Sequence, residues 1–505
     1  MENSIRTLLA LSSSILTLAN LHRELESVLQ PHLEVLVRDL ADFASQPLSP
    51  TACFDFEHRL QKCLRSLGRD LMEFTLNRLE GDDPSALPSH LSFEGIDYRL
   101  NRAKTKQPVD TLFGPIQLER HLYRPVDRES PESSIAPLSL SLGIVENATP
   151  ALADKVGRSL AEAGATQGVV QERLQSEHGV SMGTGRLRNL AGHLAGELSA
   201  VRREQQVEQL LGWLAKAHES TGNRKPVLYV GRDGITLGLA CKTSTIFEVA
   251  STATVTVLDR SGKRLGTVYL AYTPESKQVR LSAELTGLLE EVLRRWERPL
   301  PRLCYVTDAG DNETTYYDVV LRPMKHPRTG ERLEWIRVVD FYHAMIRVWT
   351  MAGILFGEGT AKARGWATKM RKLLKKPNGP FRVLHSAAAL RMKIRLNAKQ
   401  AEAYETAYGY LQKRTQWMQY YKYKQCHVPL GSGLTESANK IIFTQRLKLS
   451  GMRWSREGAQ VILDLRVALL SGIWDGAYQR VLKDYRMPQT GTPGHLENSR
   501  KPIAA

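Results

Sequence analysis

Apolar positions recur at helical spacing through the first eighty residues. Leu8, Leu11, Ile15, Leu18 and Leu25 share one face, and Val35, Leu36, Val37 and Leu40 extend the apolar content. Residues 1–85 therefore read as a helical domain, closed by the linker GDDPSALPSHLS at 81–92. The pattern then shortens to strand-like runs, FEGIDYRLN and TLFGPIQLERHLYRP, in which Ile116 and Leu118 alternate. Residues 86–145 are expected to form a small β module and linker. Helical spacing returns over 146–205 as three short segments, the second ending at Gly179 in the manner of a C-cap.

At 224 the period changes again. RKPVLYVGRDGITLGL predicts a short strand from Val227 to Val230, a Gly-Arg-Asp-Gly turn and a second strand. FEVASTATVTVLD and LGTVYLAYTP add alternating runs. SAELTGLLEEVLRRWE is amphipathic, with Leu285, Leu288, Leu289 and Leu293 on one face. Two more strands end at Asp308 and Asp340, the last leading straight into a helix. The order β-β-β-α-β-α-β-α over 224–356 implies a mixed sheet with helices on its faces. A helical segment, 357–429, interrupts this core before its last part at 430–482. There, Ser432 or Thr435 could cap a helix whose buried stripe is Leu434, Ala438, Ile441, Ile442 and Phe443. SREGAQVILDLRVALLSGIWDGAYQRVL predicts one long helix capped by Ser455, and residues 483–505 read as a disordered tail. The fold class expected is α+β and multidomain.

Charge changes this picture. Net charge is +16 and the pI about 9.6, which points to a polyanionic partner, nucleic acid first. Residues 357–426 hold 16 Lys and Arg against 3 Asp and Glu, a net +13. Trp366, Phe381, Tyr404, Tyr408, Tyr410, Trp417, Tyr420, Tyr421 and Tyr423 are interleaved with these cations. The segment reads as a nucleic-acid grip, with cations on phosphates and rings free to stack on bases, or else as a basic surface over an ordinary aromatic core. Arg186 and Arg188, in the first turns of the third helix of 146–205, fit a helix-turn-helix that enters a major groove, a spacing other helical bundles share. Arg120, His121 and Arg124 either contact phosphate or form a solvated strand face. The five cysteines are scattered without a CxxC pair, so a zinc ribbon or disulfide framework is not expected. The N-terminal apolar run is broken by serines and reads as an amphipathic helix, which with the reducing-compartment cysteine usage predicts a cytoplasmic, nucleoid-associated protein without a membrane partner.

Three acids stand at special places: Asp233 and Asp308 at strand ends, and Glu436 in GSGLTESANKIIFTQRLKLSGMRWS, 431–455, among Lys440, Arg446, Lys448 and Arg453. Alone, Glu436 reads equally as a charge favoured by a helix N-terminus. Together, three carboxylates from separate elements suit a pair of divalent cations acting on phosphorus. No GxxxxGK[ST] motif is present, so ATP-driven chemistry is not indicated.

The order Asp233, Asp308, Glu436 resembles the DDE triad of RNase H-like transposases. DFYHA, Asp340 to Ala344, resembles the [C/D]xxH motif of several such families. GLTESANK…RLKLSGMRWSREGAQ…LR closely resembles the C-terminal signature of bacterial insertion-sequence transposases of the ISKra type, and the likeness spans about 225–475. The resemblance implies an RNase H-like catalytic core interrupted by the basic insertion, with Asp233, Asp308 and Glu436 as catalytic metal ligands for Mg²⁺, or Mn²⁺ in its place. Asp340 and His343 would lie near the metals or the scissile phosphate. Arg446, Lys448, Arg453, Trp454 and Lys440 would contact DNA. The activity implied is binding of terminal inverted repeats, strand cleavage and strand transfer on double-stranded DNA by a homo-oligomer. An RNase H-like nuclease without strand transfer and a non-catalytic helix-turn-helix regulator are the alternatives.

Overall fold

The computed structural model describes residues 18–241, 244–485 and 488–490. The helical face expected at Leu8, Leu11 and Ile15, and the tail from 491 onward, lie outside the described residues. The protein is α+β, and its chain divides into two compact units.

The first unit comprises residues up to 160, 165–194 and those from 478 onward. Helices α1 (Leu18–Ser45) and α2 (Pro50–Asn77) run antiparallel. Their register is marked by the Phe43–Phe56 stack at 4.4 Å, the Asp39–Arg59 pair at 3.2 Å and the His32–Asp70 pair at 2.9 Å. Ser49 caps α2 by accepting from the Ala52 N–H, and Pro50 occupies a position where no amide proton is needed. Strands β1 (His90–Phe93), β2 (Ile96–Thr111) and β3 (Gly114–Pro125) form a meander. Gln489–Thr490, within the stretch expected to be disordered, pairs with β1 as an edge strand instead. His121 is fully buried, its amide donating to Glu80 Oε2 at 2.6 Å, and Arg120 is tied to Ser139. Neither belongs to the solvated, phosphate-facing strand that alternation suggested. Helices α3 (Pro150–Ala161) and α4 (Gln167–Arg173) follow, and Gly179, at φ +68°, ends the turn after α4 as expected.

The third helix of the expected 146–205 domain is longer than its apolar pattern was read to be. Helix α5 spans Thr184–Glu219, and its residues from Ala195 belong to the second unit. No proline follows Gln205 in this helix, and Val207, Leu210, Leu214 and Ala217 continue a buried stripe across Gly212.

The second unit is built on a five-stranded sheet of β4 (Val227–Cys241), β5 (Ser244–Leu258), β6 (Arg264–Tyr272), β7 (Arg302–Thr307) and β8 (Trp335–Val339). The order is β6-β5-β4-β7-β8. The first three are antiparallel, and β7 and β8 run parallel to β4. β4 is one continuous strand through Gly231-Arg232-Asp233-Gly234, so the predicted turn is absent and Asp233 lies mid-strand, opposite Thr252. Two glycines within four residues read as a turn, but both are there for close packing, as the site shows below. Alternation divides the sheet between two cores: Leu228, Val230, Leu303 and Tyr305 face α5 and α6 (Val279–Arg295), while Val227, Tyr229, Cys304 and Val306 face the opposite side.

That opposite core is completed by α7 (Phe341–Phe356), α8 (Ala361–Leu374), α9 (Gly379–Arg391) and α10 (Ala398–Arg414). The basic segment thus packs on the sheet. Of its nine interleaved aromatics only Phe381 and Tyr421 are exposed, whereas Tyr404 and Tyr420 are buried. Tyr420 and Tyr423 donate to the Val339 and Arg337 carbonyls, and the Arg337 guanidinium lies 3.7 Å from the Trp417 ring centroid. The rings are core and tether, and not a free stacking surface. The chain ends with α11 (Gly433–Asn439), α12 (Arg456–Leu470) and α13 (Trp474–Lys483). Ser455 caps α12 as expected. The single long helix is broken at Gly472, whose φ of +68° no continuing helix allows.

Candidate active site

Successive side chains of a strand point to opposite faces. In β4 this separates Arg232 from Asp233. Arg232 is buried, its guanidinium 4.3 Å from the Tyr316 ring centroid and bonded to Gln278 at 2.7 Å. Asp233 faces α11, where Asn439 Nδ2 donates to its Oδ2 at 2.7 Å, and the Gly234 N–H donates to its Oδ1 at 2.8 Å. α11 approaches the strand so closely that a Cβ at Gly231 would fall 1.9 Å from Thr435 Oγ1. Thr435 in turn bonds Thr254 on β5 at 2.9 Å. Glu436 and Asn439, one helical turn apart, are thereby held on the face of α11 that looks at the acids.

Asp308 and Asp340 leave the adjacent ends of the parallel strands β7 and β8, joined by the Asp340 N–H to Thr307 carbonyl bond at 2.8 Å. Asp308 Oδ1 accepts from the Gly310 N–H at 3.0 Å. Its carbonyl accepts from Tyr410, and the Ala309 carbonyl from Arg414, so α10 fixes this corner. Asp340 is fully buried and caps α7 by accepting from the His343 N–H at 2.8 Å. The Ser432 N–H donates to its Oδ2. Ser432 Oγ lies 2.9 Å from Asp340 Oδ2 and 2.8 Å from Glu436 Oε1, so its one proton serves one carboxylate at a time. This hydroxyl replaces the helix-capping role expected of Ser432; no side chain caps α11. His343 Nδ1 stands 3.4 Å from Asp340 Oδ1 and 3.7 Å from Glu436 Oε1.

The electrostatics are uneven. Burial raises Asp233, and the charges of Asp308, Glu313 and Glu436 raise it further against the Gly234 hydrogen bond, to about 6. Burial would also raise Asp340, but hydrogen bonds from His343 and Ser432 outweigh it and hold the group at about 2. The Asp340 contact, partly opposed by burial, raises His343, with Asp308 and Glu436 adding to it. Among the described residues no Lys or Arg forms an ion pair with Asp233, Asp308 or Glu436, and the only basic partner within range is His343.

Two residues escaped the sequence reading. Glu313 is buried beside Asp308, its Oε2 over Gly310, and burial followed by the Asp308 charge raises it. Asp311 and Asp318 look equivalent in the sequence, and nothing in the pattern separates Glu313 from them. Asn439 was findable, because three residues from Glu436 on a helix means the same face.

The donor set is hard carboxylate oxygen, which suits Mg²⁺ or Mn²⁺. Among the described residues no Lys or Arg pairs with Asp233, Asp308 or Glu436, and only His343 approaches Glu436, which fits a cation ligand set. Among the described residues the one set of three ligand atoms lying within 4.8 Å of one another is that of Asp340, His343 and Glu436, so Asp233 and Asp308 do not share such a set with Glu436 here. Both Asp340 oxygens are already occupied by hydrogen bonds, however.

The remaining candidates divide by exposure. Lys440, Lys448 and Arg453 are exposed. Arg446 is buried 5.2 Å from the Trp454 ring centroid, and burial followed by the Arg466 charge lowers it to about 10. Trp454 is half-buried, donating to the Leu447 carbonyl, while its own carbonyl accepts from the Ala240 N–H. These contacts tie both residues into the 445–455 turn, and Arg446 has no exposed surface to offer a DNA backbone. In the first unit Arg186 is spent on Asp110 at 2.5 Å and on the Glu146 and Asn147 carbonyls, whereas Arg188 is exposed. No protein-family model and no curated protein matches the chain. No described helix is long and apolar enough to cross a membrane.

Proposed function

We propose that the chain is a DDE transposase with an RNase H-like core, acting on double-stranded DNA. The observation that carries this reading is the nearness of acids from three elements, close enough that the charges of Asp308 and Glu436 raise Asp233. Asp233 comes from the first strand, Asp308 follows the fourth, and Glu436 lies on the helix after the inserted segment, with Asp233 held protonated up to about pH 6 by its surroundings. The strand order β6-β5-β4-β7-β8 and the likeness of GLTESANK…GMRWSREGAQ to ISKra-type transposases support the same reading. The residues to hold Mg²⁺ or Mn²⁺ are Asp233, Asp308 and Glu436, and a divalent cation there supplies Lewis-acid polarisation of the phosphoryl group. The protein's part is orientation. Asn439 fixes the Asp233 carboxylate, Ser432 links Asp340 to Glu436, and Asp340 aims the imidazole of His343 toward the reacting phosphate. Lys440, Lys448, Arg453 and Arg188 are the exposed cations for the DNA backbone, and the protein works as a homo-oligomer that brings two ends together.

The test is Mg²⁺-dependent cleavage and joining of DNA carrying the element's ends, comparing wild type with Glu436→Gln. Cleavage and joined product from wild type, both lost in Glu436→Gln with DNA binding retained, is the expected result. Cleavage without joining of pre-cut ends would reassign the chain as a nuclease. Unaltered cleavage by Glu436→Gln would remove Glu436 from the site.

A further inference from the structure

Helix α7 begins inside the acid cluster and carries on its outer side a row that the fold does not use. Tyr342, Ile346 and Trp349 are 65%, 53% and 43% exposed, on a helix whose other apolar side chains are largely buried. At about 100° per residue these three share one narrow stripe about 10 Å long. The row starts at the site, because a Cβ on Gly431 would stand 3.3 Å from the Tyr342 ring, and Gly431 opens the turn that leads to Glu436. About a quarter turn further round the same helix stand His343 and Arg347. The Arg347 guanidinium is held 4.9 Å from the Tyr410 ring centroid, and Tyr410 bonds the Asp308 carbonyl. One helix therefore presents a cationic edge and an aromatic edge side by side, both leading away from the acids.

Building on the function proposed above, we infer that this face of α7 is a stacking wall for unpaired nucleotides of the DNA strand next to the scissile phosphate. His343 and Arg347 line the backbone, and Tyr342 and Trp349 stack on bases with Ile346 between them. Charge complementarity selects this occupant: a polyanion suits the cationic edge and the strongly basic segment that follows α7, whereas the aromatic edge requires bases freed from pairing.

The test uses the full chain in EDTA, so that no cleavage occurs. The probes are a fluorescein-labelled 12-nucleotide single strand of mixed sequence and the same sequence as a duplex, read by fluorescence anisotropy. Tyr342→Ala and Trp349→Ala are each expected to weaken single-strand binding about tenfold, with Trp349→Phe recovering most of it and duplex binding changed less than twofold. A 2-aminopurine in the strand is expected to be quenched by wild type and to brighten with Trp349→Ala. Unchanged single-strand affinity in both alanine variants, with far-UV circular dichroism and unfolding midpoint intact, overturns the inference. So does a wild-type dimer that dissociates on Trp349→Ala while strand affinity persists, since the stripe then belongs to a second copy. Wild type that binds neither probe overturns the transposase reading as well; wild-type binding that ignores the stripe overturns this inference alone.

Discussion

A buried carboxylate surrounded by other acids costs folding energy whenever it is ionised, and Asp233 is in that position. Its native pKa of about 6 lies above the 3.8 of a free aspartate, so the native state binds the extra proton between these values. Stability of the metal-free chain is therefore expected to fall as pH rises from about 4 to 6, by roughly 2 kcal/mol from this group, and then to level off. Asp340 has the opposite sign: held at about 2, it contributes stability above pH 4 that is lost on acidification. Thermal unfolding in EDTA across pH 2–7 checks the pair. Asp233→Asn should abolish the decline between pH 4 and 6, and an identical profile in that variant would refute the assignment. Asn439→Ala removes the donor to Asp233 Oδ2 and should lower cleavage about tenfold with DNA binding kept. Asp233, Asp308 and Glu436 stood out as candidates because acids near apolar strands or glycine turns are conspicuous in a sequence, whereas Asp233, which lies mid-strand, was read at a strand end. The burial of Arg446 was not readable, because a buried cation against a ring has the same composition as a cation and ring facing solvent.

Elements were legible where one period ran unbroken, and less so where glycine served packing. Four of the five strands of the second unit and the helix at Val279–Arg295 follow directly from alternation and from the leucine stripe. β4 did not, because Gly231 and Gly234 read as a turn when each makes room for a neighbour: Thr435 at Gly231 and Val249 at Gly234. Gly231→Ala is expected to push α11 off the strand, lowering stability by about 2–3 kcal/mol and abolishing cleavage. Thr435→Ala in the same chain removes the Oγ1 that the new methyl meets and should restore part of both. Denaturant unfolding of the single and double variants measures the coupling, and additive losses would contradict the close approach as the cause. The continuation of α5 to Glu219 went unread, although the buried stripe of Val207, Leu210, Leu214 and Ala217 carries the helix period on past Gln205.

For the whole molecule, charge is the property most legible in the sequence and packing the least. The +13 of residues 357–426 was visible, but their shared core with the sheet required knowing which way Tyr404, Ala407 and Leu411 point. Electrostatic binding to DNA is expected to weaken steeply with salt, and Lys440, Lys448 and Arg453, being exposed, should each contribute about 0.9 to the slope of log affinity against log salt. Replacing all three by Gln should reduce that slope by about 3; an unchanged slope would place the DNA elsewhere. The central claim, that Asp233, Asp308 and Glu436 hold a divalent cation, is tested most directly by Mn²⁺ titration followed by electron paramagnetic resonance. Wild type is expected to bind Mn²⁺, Asp233→Asn and Asp308→Asn to lose at least tenfold in affinity, and His343→Ala to change less than threefold. Affinity kept in both Asn variants and lost in His343→Ala would contradict it, and would move the ion to Asp340, His343 and Glu436.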